Sequence, residues 1–321
     1  MAKMQPVGWP RRPVGGKLPA MYVITGATGN IGRAIAETLL SQGLPVRVIG
    51  RDPARLQALV DRGAESRVGS LDDTGFVRDA FADATAVFAM IPPVYVADDP
   101  RAEQGKVGEA IAAAIEANRV PHVVHLSSLG AELTEGTGPV LGVHDQEARL
   151  DRIEGVNVLH LRPTYFMENL LHGVGMIQSM GIYGTPLRAD LAFPLIATRD
   201  IAAAAATELN ERGFTGSSVR VLLGPADHTP AALTRLIGAA IGKPELPYVQ
   251  FPYDQAVEAM VQMGLSRPVA EGMVDLNRSM NEGRCIGALP RDERSTTPTT
   301  VEQFIDQVLA PALRGPARAA S

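Results

Sequence analysis

One cysteine, Cys285, stands in 321 residues. That excludes an internal disulfide and a Cys-x-x-Cys pair, and it points to a reducing, cytoplasmic compartment. Long apolar runs are missing too. No stretch approaches the ~20 residues that a membrane-crossing helix needs. Residues 1–19 hold Pro6, Pro10, Pro13 and Pro19 and four basic side chains but no apolar segment, so they read as a flexible tail and not as a secretory signal. Charge of one sign is also lacking. Against 30 Lys plus Arg stand 35 Asp plus Glu, a net charge of −5 that exerts no general pull toward nucleic acid or an acidic membrane. The six histidines are scattered, without His-Glu-x-x-His or a Cys/His cluster, so no metal is expected. A Gly-x-Ser-x-Gly elbow, a helix-turn-helix or zinc signature for reading DNA and internal repeats are all absent. An apolar fraction of 45% with 20% charged residues is that of a soluble globular protein, long enough for one large or two modest domains.

What is present begins at Tyr22-Val23-Ile24-Thr25-Gly26-Ala27-Thr28-Gly29-Asn30-Ile31-Gly32. An apolar strand runs into three glycines spaced Gly-x-x-Gly-x-x-Gly, and a helix follows with Ile31, Ile35 and Leu39 on one face. Strand, glycine turn and helix deliver backbone N–H groups and a helix N-terminus to a pyrophosphate. Gly26 allows the tight turn, Gly29 the close approach of phosphate oxygens, and Gly32 the packing of helix on strand. The spacing departs from the usual Gly-x-Gly-x-x-Gly, and the strand–helix context carries the assignment. About 20 residues on, the strand Val46–Gly50 ends in Arg51-Asp52-Pro53. An acidic tip would bind the ribose hydroxyls; a guanidinium suits a 2′-phosphate. Arg51, with Arg55 one turn later, favours NADP(H), while Asp52 keeps NAD(H) open.

The alternation continues along the chain. Helix Ala54–Val60, strand Glu65–Val68, helix Thr74–Phe81, strand Thr85–Met90, a helix carrying Val107, Ile111 and Ile115, strand Val123–Ser127, helix Val143–Ile153 and strand Val156–Leu161 predict an α/β fold with a doubly wound parallel sheet. Ligands bind beyond the carboxyl ends of such strands. That rule selects Gly26, Thr28, Gly29, Asn30, Ile31, Arg51, Leu71, Asp72, Met90, Ile91, Pro92, Ser127, Ser128 and Pro163 as cofactor-binding residues. Arg162-Pro163-Thr164 is expected to break the pattern, after which methionines accumulate, most of them core and some lining a pocket. Asp200 is expected to cap a helix, Val219–Leu223 to form a strand, and Thr229-Pro230 to start another helix. A Thr/Pro cluster lies near Thr296.

Thr25–Gly32, Arg51-Asp52-Pro53, Val123–Ser128, Leu161–Asn169 and Thr198–Ala202 together resemble the NmrA-like branch of the atypical short-chain dehydrogenases/reductases. The resemblance covers most of residues 20–245 and weakens toward the C-terminus. It implies a nucleotide-binding Rossmann core over 20–164, and a smaller C-terminal α/β substrate domain over 165–321 that closes a cleft over the nicotinamide. Residues 196–224 are expected to return to the core. The family includes NADPH-dependent quinone or azo-dye reductases and nucleotide-sensing regulators.

Most short-chain dehydrogenases use a Tyr-x-x-x-Lys pair. Tyrosine is absent from Val96 to Thr164, and no lysine follows any of the six tyrosines at that spacing. Alcohol dehydrogenation by the usual route is therefore not expected. A quinone or azo compound is electrophilic enough to accept a hydride without a tuned acid. His144, at or before the start of its helix, is a candidate proton donor or orienting residue, and Tyr165 is expected to approach the cleft. The expected partner is a small-molecule substrate, with no nucleic acid and no membrane; the oligomeric state stays open, a homodimer included. A non-catalytic NADP(H)-binding redox sensor is the alternative reading.

Overall fold

The computed structural model describes residues 20–285 and 289–314; the expected tail at 1–19 lies outside the described residues. Strands β1 (Met21–Ile24), β2 (Val46–Gly50), β3 (Glu65–Val68), β4 (Ala84–Ala89), β5 (His122–Leu126) and β6 (Asn157–Pro163) alternate with helices α1 (Asn30–Ser41), α2 (Pro53–Val60), α3 (Thr74–Ala80), α4 (Pro100–Asn118) and α5 (Val140–Leu150). Next come β7 (Tyr165–Phe166), a 3₁₀ turn Met167–Gly173, α6 (Val174–Met180), β8 (Tyr183–Thr185), β9 (Phe193–Ile196), α7 (Thr198–Glu211) and β10 (Ser217–Leu222). The remainder holds β11 (Asp227–His228), α8 (Pro230–Ala240), β12 (Tyr248–Gln250), α9 (Tyr253–Gln262), α10 (Arg267–Asn281) and a helix beginning at Val301.

Seven strands form one parallel sheet in the order β10-β6-β5-β4-β1-β2-β3. Strand order reverses between β1 and β4, and that switch point is where such sheets hold ligands. The central strands β1 and β4 read as nearly continuous apolar runs because both faces are covered, whereas the edge strands β3 and β10 carry Glu65, Arg67, Ser217 and Arg220. Tyr22, Ile24, Ala86, Phe88 and Val124 face a core shared with α1 and α7, through Ile35, Leu39, Ile201 and Leu209. Their alternates Val23, Val87 and Val123 face α3, α4 and α5, through Val77, Ile111, Ile115 and Leu150. A third core, with Leu170, Phe193, Ile237 and Phe304, lies among the elements after β6. There β11, β9 and β7 form a small sheet and β12 pairs with β8.

Two contacts hold the later elements against the sheet's carboxyl edge. Ser266, which precedes α10, donates its backbone N–H to Tyr95 O at 3.0 Å, and its hydroxyl bonds the backbone of Ala97. Gly138 sits at φ +50, and a Cβ there would strike Gly272 O of α10.

Three expectations need correction. Helix α5 begins at Val140, so His144 lies inside it and not at its start. Strand β6 continues through Pro163: the missing N–H matters little at the last position, and the Pro163 carbonyl still accepts from Leu129 N at 2.9 Å. Asp200 is not a helix cap. Helix α7 starts at Thr198, whose N–H and hydroxyl bond the Glu168 carboxylate, while Asp200 turns inward to accept from Thr299 N and Oγ1. The Thr/Pro cluster near Thr296 packs on the end of β10: Thr296 bridges to Leu223, and Thr297 bonds it through backbone and side chain. Thr229 does cap α8, accepting from Ala232 N, with Pro230 at the first position.

Candidate active site

The turn from β1 into α1 leaves a helix N-terminus bare. Its N-cap is Gly29, which has no side chain to cap with, and no acidic residue lies in the first turn. The leading N–H groups thus carry the positive end of the helix dipole unfilled. Gly26 adopts φ +64 under the Met90 side chain, and a Cβ on Gly32 would come within 2.5 Å of Gly26 O. At Gly29 a Cβ would meet nothing closer than Gly26 O at 3.4 Å. Gly26 and Gly32 therefore serve the turn and the packing, while a Cβ at Gly29 would be tolerated by the protein itself. Thr25 stitches the turn to β4, donating from Oγ1 to Phe88 O and accepting from Met90 N. A pyrophosphate fits this cradle.

Arg51 is exposed beyond β2 and has no hydrogen-bond or ion-pair partner among the described residues. Arg55 donates Nη2 to Thr28 O at 2.8 Å, which holds a second guanidinium against the glycine turn. Asp52 is engaged elsewhere, its Oδ1 capping α2 through Ala54 N at 2.9 Å. Leu71 is buried in the core under α3 and Asp72 is exposed in the turn before it. Met90, Ile91 and Pro92 leave the tip of β4; Ser127, Ser128 and Pro163 lie at the tips of β5 and β6. All these residues gather at the carboxyl edge of one sheet.

At the β5 tip the structure adds residues that the motif reading passed over. Ser127 is buried and donates Oγ to Glu147 Oε1 at 2.5 Å. Arg162 grips the same carboxylate with two bonds, Nε to Oε1 at 2.9 Å and Nη2 to Oε2 at 2.6 Å, and reaches Glu132 with Nη1 at 3.0 Å. Burial pushes the Glu147 pKa up, but the Arg162 and Ser127 hydrogen bonds outweigh it and hold the carboxyl below its ordinary value. Arg162 belonged to a quoted motif and Glu147 follows His144 by three positions; only the fold joins them.

His144 bonds Ala131 O through Nδ1 at 2.7 Å. A carbonyl only accepts, so Nδ1 carries the proton and Nε2 is the nitrogen left for a substrate. Tyr165 packs edge-on against Phe193, ring centroids 5.3 Å apart, and burial pushes its pKa up to about 12. The environment makes it a weak acid. An apolar cleft of about 180 Å³ opens between the segment after β4 and α10, lined by Pro93, Val94, Pro139, Pro268, Val269 and Met273. Of the later methionines, Met167 and Met280 are core, Met180 and Met263 are exposed, and Met273 borders this cleft. Among the described residues no group of three or more His, Cys, Asp or Glu could hold a metal, and no helix is long and apolar enough to cross a membrane.

A parallel doubly wound sheet with a bare helix N-terminus at its switch point has the architecture of the doubly wound α/β folds that hold ligands at that point. The chain matches the NmrA-like family over residues 21–308 and belongs to it. An NAD(P)H azoreductase from Xenophilus azovorans is 28% identical over 80% of this chain and 86% of its own length. A (4-alkanoyl-5-oxo-2,5-dihydrofuran-3-yl)methyl phosphate reductase from Streptomyces griseus is 29% identical over 86% of this chain and 93% of its own. Among solved structures, the NADPH-dependent quinone oxidoreductase of Escherichia coli complexed with NADPH aligns with a TM-score of 0.74 at 22% identity, covering 90% of this chain and 99% of that one.

Proposed function

We propose that this protein is an NADPH-dependent oxidoreductase that delivers hydride to a small conjugated acceptor such as a quinone or azo compound. The observation that carries the reading is the uncapped N-terminus of α1 at the switch point, with the unpartnered Arg51 one strand away. The related azoreductase and phosphate-ester reductase support the reaction class. When bound, NADPH supplies the hydride. The protein's part is placement. Asn30, Ile31 and Gly32 offer backbone N–H groups to the pyrophosphate, Arg51 takes the 2′-phosphate, and Met90–Pro92, Ser127, Ser128 and Pro163 border the nicotinamide. The segment after β6 forms the substrate side, with the cleft beside Pro93 and Val94 excluding water. His144 can give a proton only as the imidazolium, because its one neutral proton is committed to Ala131 O. Its help is therefore secondary. The single buried Cys285 suits a cytoplasmic location.

Stopped-flow absorbance of bound NADPH with several quinones and azo dyes tests the reading. Oxidation of the nicotinamide is expected with at least one acceptor, and His144→Ala should slow it by tens of fold and not thousands, general acid–base help being worth roughly 10²–10⁴ where it is required. A nicotinamide that stays reduced across the whole panel would replace the reductase with a redox sensor.

A further inference from the structure

A serine hydroxyl has one proton to donate and two lone pairs to accept with, and an ionised carboxylate can only accept. Glu147 is ionised by its two-pronged contact with Arg162, and its Oε1 takes the Ser127 proton at 2.5 Å. Ser127 therefore has only lone pairs left. It cannot donate to the carbonyl of an acceptor. Its main chain is fixed as well, because Ser127 N donates to Leu161 O at 2.8 Å and Leu129 N, two residues on, donates to Pro163 O at 2.9 Å. With 5% of Ser127 and 7% of Glu147 exposed, solvent does not compete for the bond.

We propose that Glu147 and Arg162 are positioning residues that make Ser127 a dedicated hydrogen-bond acceptor for the carboxamide N–H of the nicotinamide. The proposal rests on the nucleotide reading above and goes further by assigning a polarity to the contact. The nicotinamide ring and a quinone or azo acceptor present no N–H or O–H donor, whereas the carboxamide presents two. Accepting from it sets the rotation of the carboxamide and, with it, which face of the ring turns toward the cleft. Glu132 completes the arrangement by taking the third arm of Arg162, so that the guanidinium cannot swing away from Glu147.

Calorimetric binding of NADPH against the reduced 3-acetylpyridine analogue, which replaces the carboxamide NH₂ with a methyl group, tests this without recourse to turnover. One net hydrogen bond corresponds to about 5- to 10-fold in affinity, so the wild-type protein should prefer NADPH by that ratio. Ser127→Ala should bring the ratio close to one. Glu147→Gln should lower the ratio without abolishing it, because an amide N–H that donates to Ser127 Oγ takes one of its two lone pairs and frees the hydroxyl proton. Arg162→Lys keeps a cation beside Glu147 and should retain most of the preference. A wild-type ratio of one, or a full ratio surviving in Ser127→Ala, overturns the proposal. Should Glu147→Gln fail to fold, the Ser127→Ala arm still decides, since it removes one hydroxyl only. Absence of nucleotide binding in the wild-type protein would overturn the nucleotide reading and this proposal together; a missing ratio with tight binding overturns this proposal alone.

Discussion

Gly29 and Gly32 are three positions apart and fail differently when given a side chain. Gly32 lies so close to Gly26 O that even alanine must displace the turn, so Gly32→Ala should lower thermal stability. Gly29 has extended backbone angles that valine tolerates, and its Cβ would meet only Gly26 O, at 3.4 Å. Gly29→Val should therefore melt near the wild-type temperature and yet lose NADPH binding by calorimetry; undiminished binding in a folded variant would remove the cradle from the site. Arg51 carries the second residue-level expectation. A charge-assisted hydrogen bond contributes about 1.5–3 kcal/mol, or roughly 10- to 150-fold, so Arg51→Ala should weaken NADPH by that factor and leave NADH nearly unchanged. Equal losses for both nucleotides would mean that Arg51 does not read the 2′-phosphate. The engagement of Asp52 as the cap of α2 argues for the same preference.

Helix ends explain where the sequence was readable at the next scale. Thr229-Pro230 and Asp73 are local caps, each bonding an N–H three residues ahead, and their signals survive folding unchanged. The start of α7 could not be read this way. Its N-cap is Ala197, and the carboxylate at its N-terminus comes from Glu168, thirty residues earlier. Glu168→Ala should remove a charged cap and cost about 1–2 kcal/mol, visible as a lower urea midpoint with an unchanged slope. A wild-type midpoint would show that water caps α7 equally well. The same blindness placed the start of α5 three residues late. Val140 and its neighbours have no strong N-cap before them, and the helix is set by the clamp of Gly138 against α10.

The whole molecule carries a buried histidine pair through its sheet. His125 and His160, neighbours on β5 and β6, approach Nδ1 to Nδ1 at 3.0 Å, and His160 continues to Asp151, which also accepts from Ser217. Two protonated rings cannot face each other there. Burial, and then the neighbouring His160, lower the His125 pKa from 6.5 to about 3. The unfolded chain binds this proton near pH 6.5 and the folded chain resists it, so stability is full above that value. It should fall as the pH drops from 6.5 toward 3, by about 1.4 kcal/mol per unit for one group. Glu147 adds to the loss at the acid end: its pKa is depressed in the fold, and its contribution disappears as pH falls through the folded value. Urea unfolding at a series of pH values should show the slope, and His125→Leu should flatten it. A slope unaltered in that variant would assign the acid sensitivity elsewhere.

Order along the chain determined the sheet. Apolar runs of strand length separated by helical periods admit one parallel, doubly wound arrangement, because crossovers are right-handed and both faces must be covered. The glycine turn and Arg51 were legible for a related reason: their spacing is local, and a tight turn or a strand tip has the same geometry in any such sheet. What the tertiary structure alone decided is which side chains meet. Ser127, Glu147 and Arg162 are separated by twenty and fifteen positions, and their polarity depends on distances of 2.5 to 2.9 Å between atoms on a strand, a helix and the loop after another strand. Asp200 faces Thr299 and not its own helix end for the same reason. Hydrogen bonds and ion pairs decay over fractions of an ångström, so their partners follow from packing, whereas the apolar pattern that builds the packing is written along the chain.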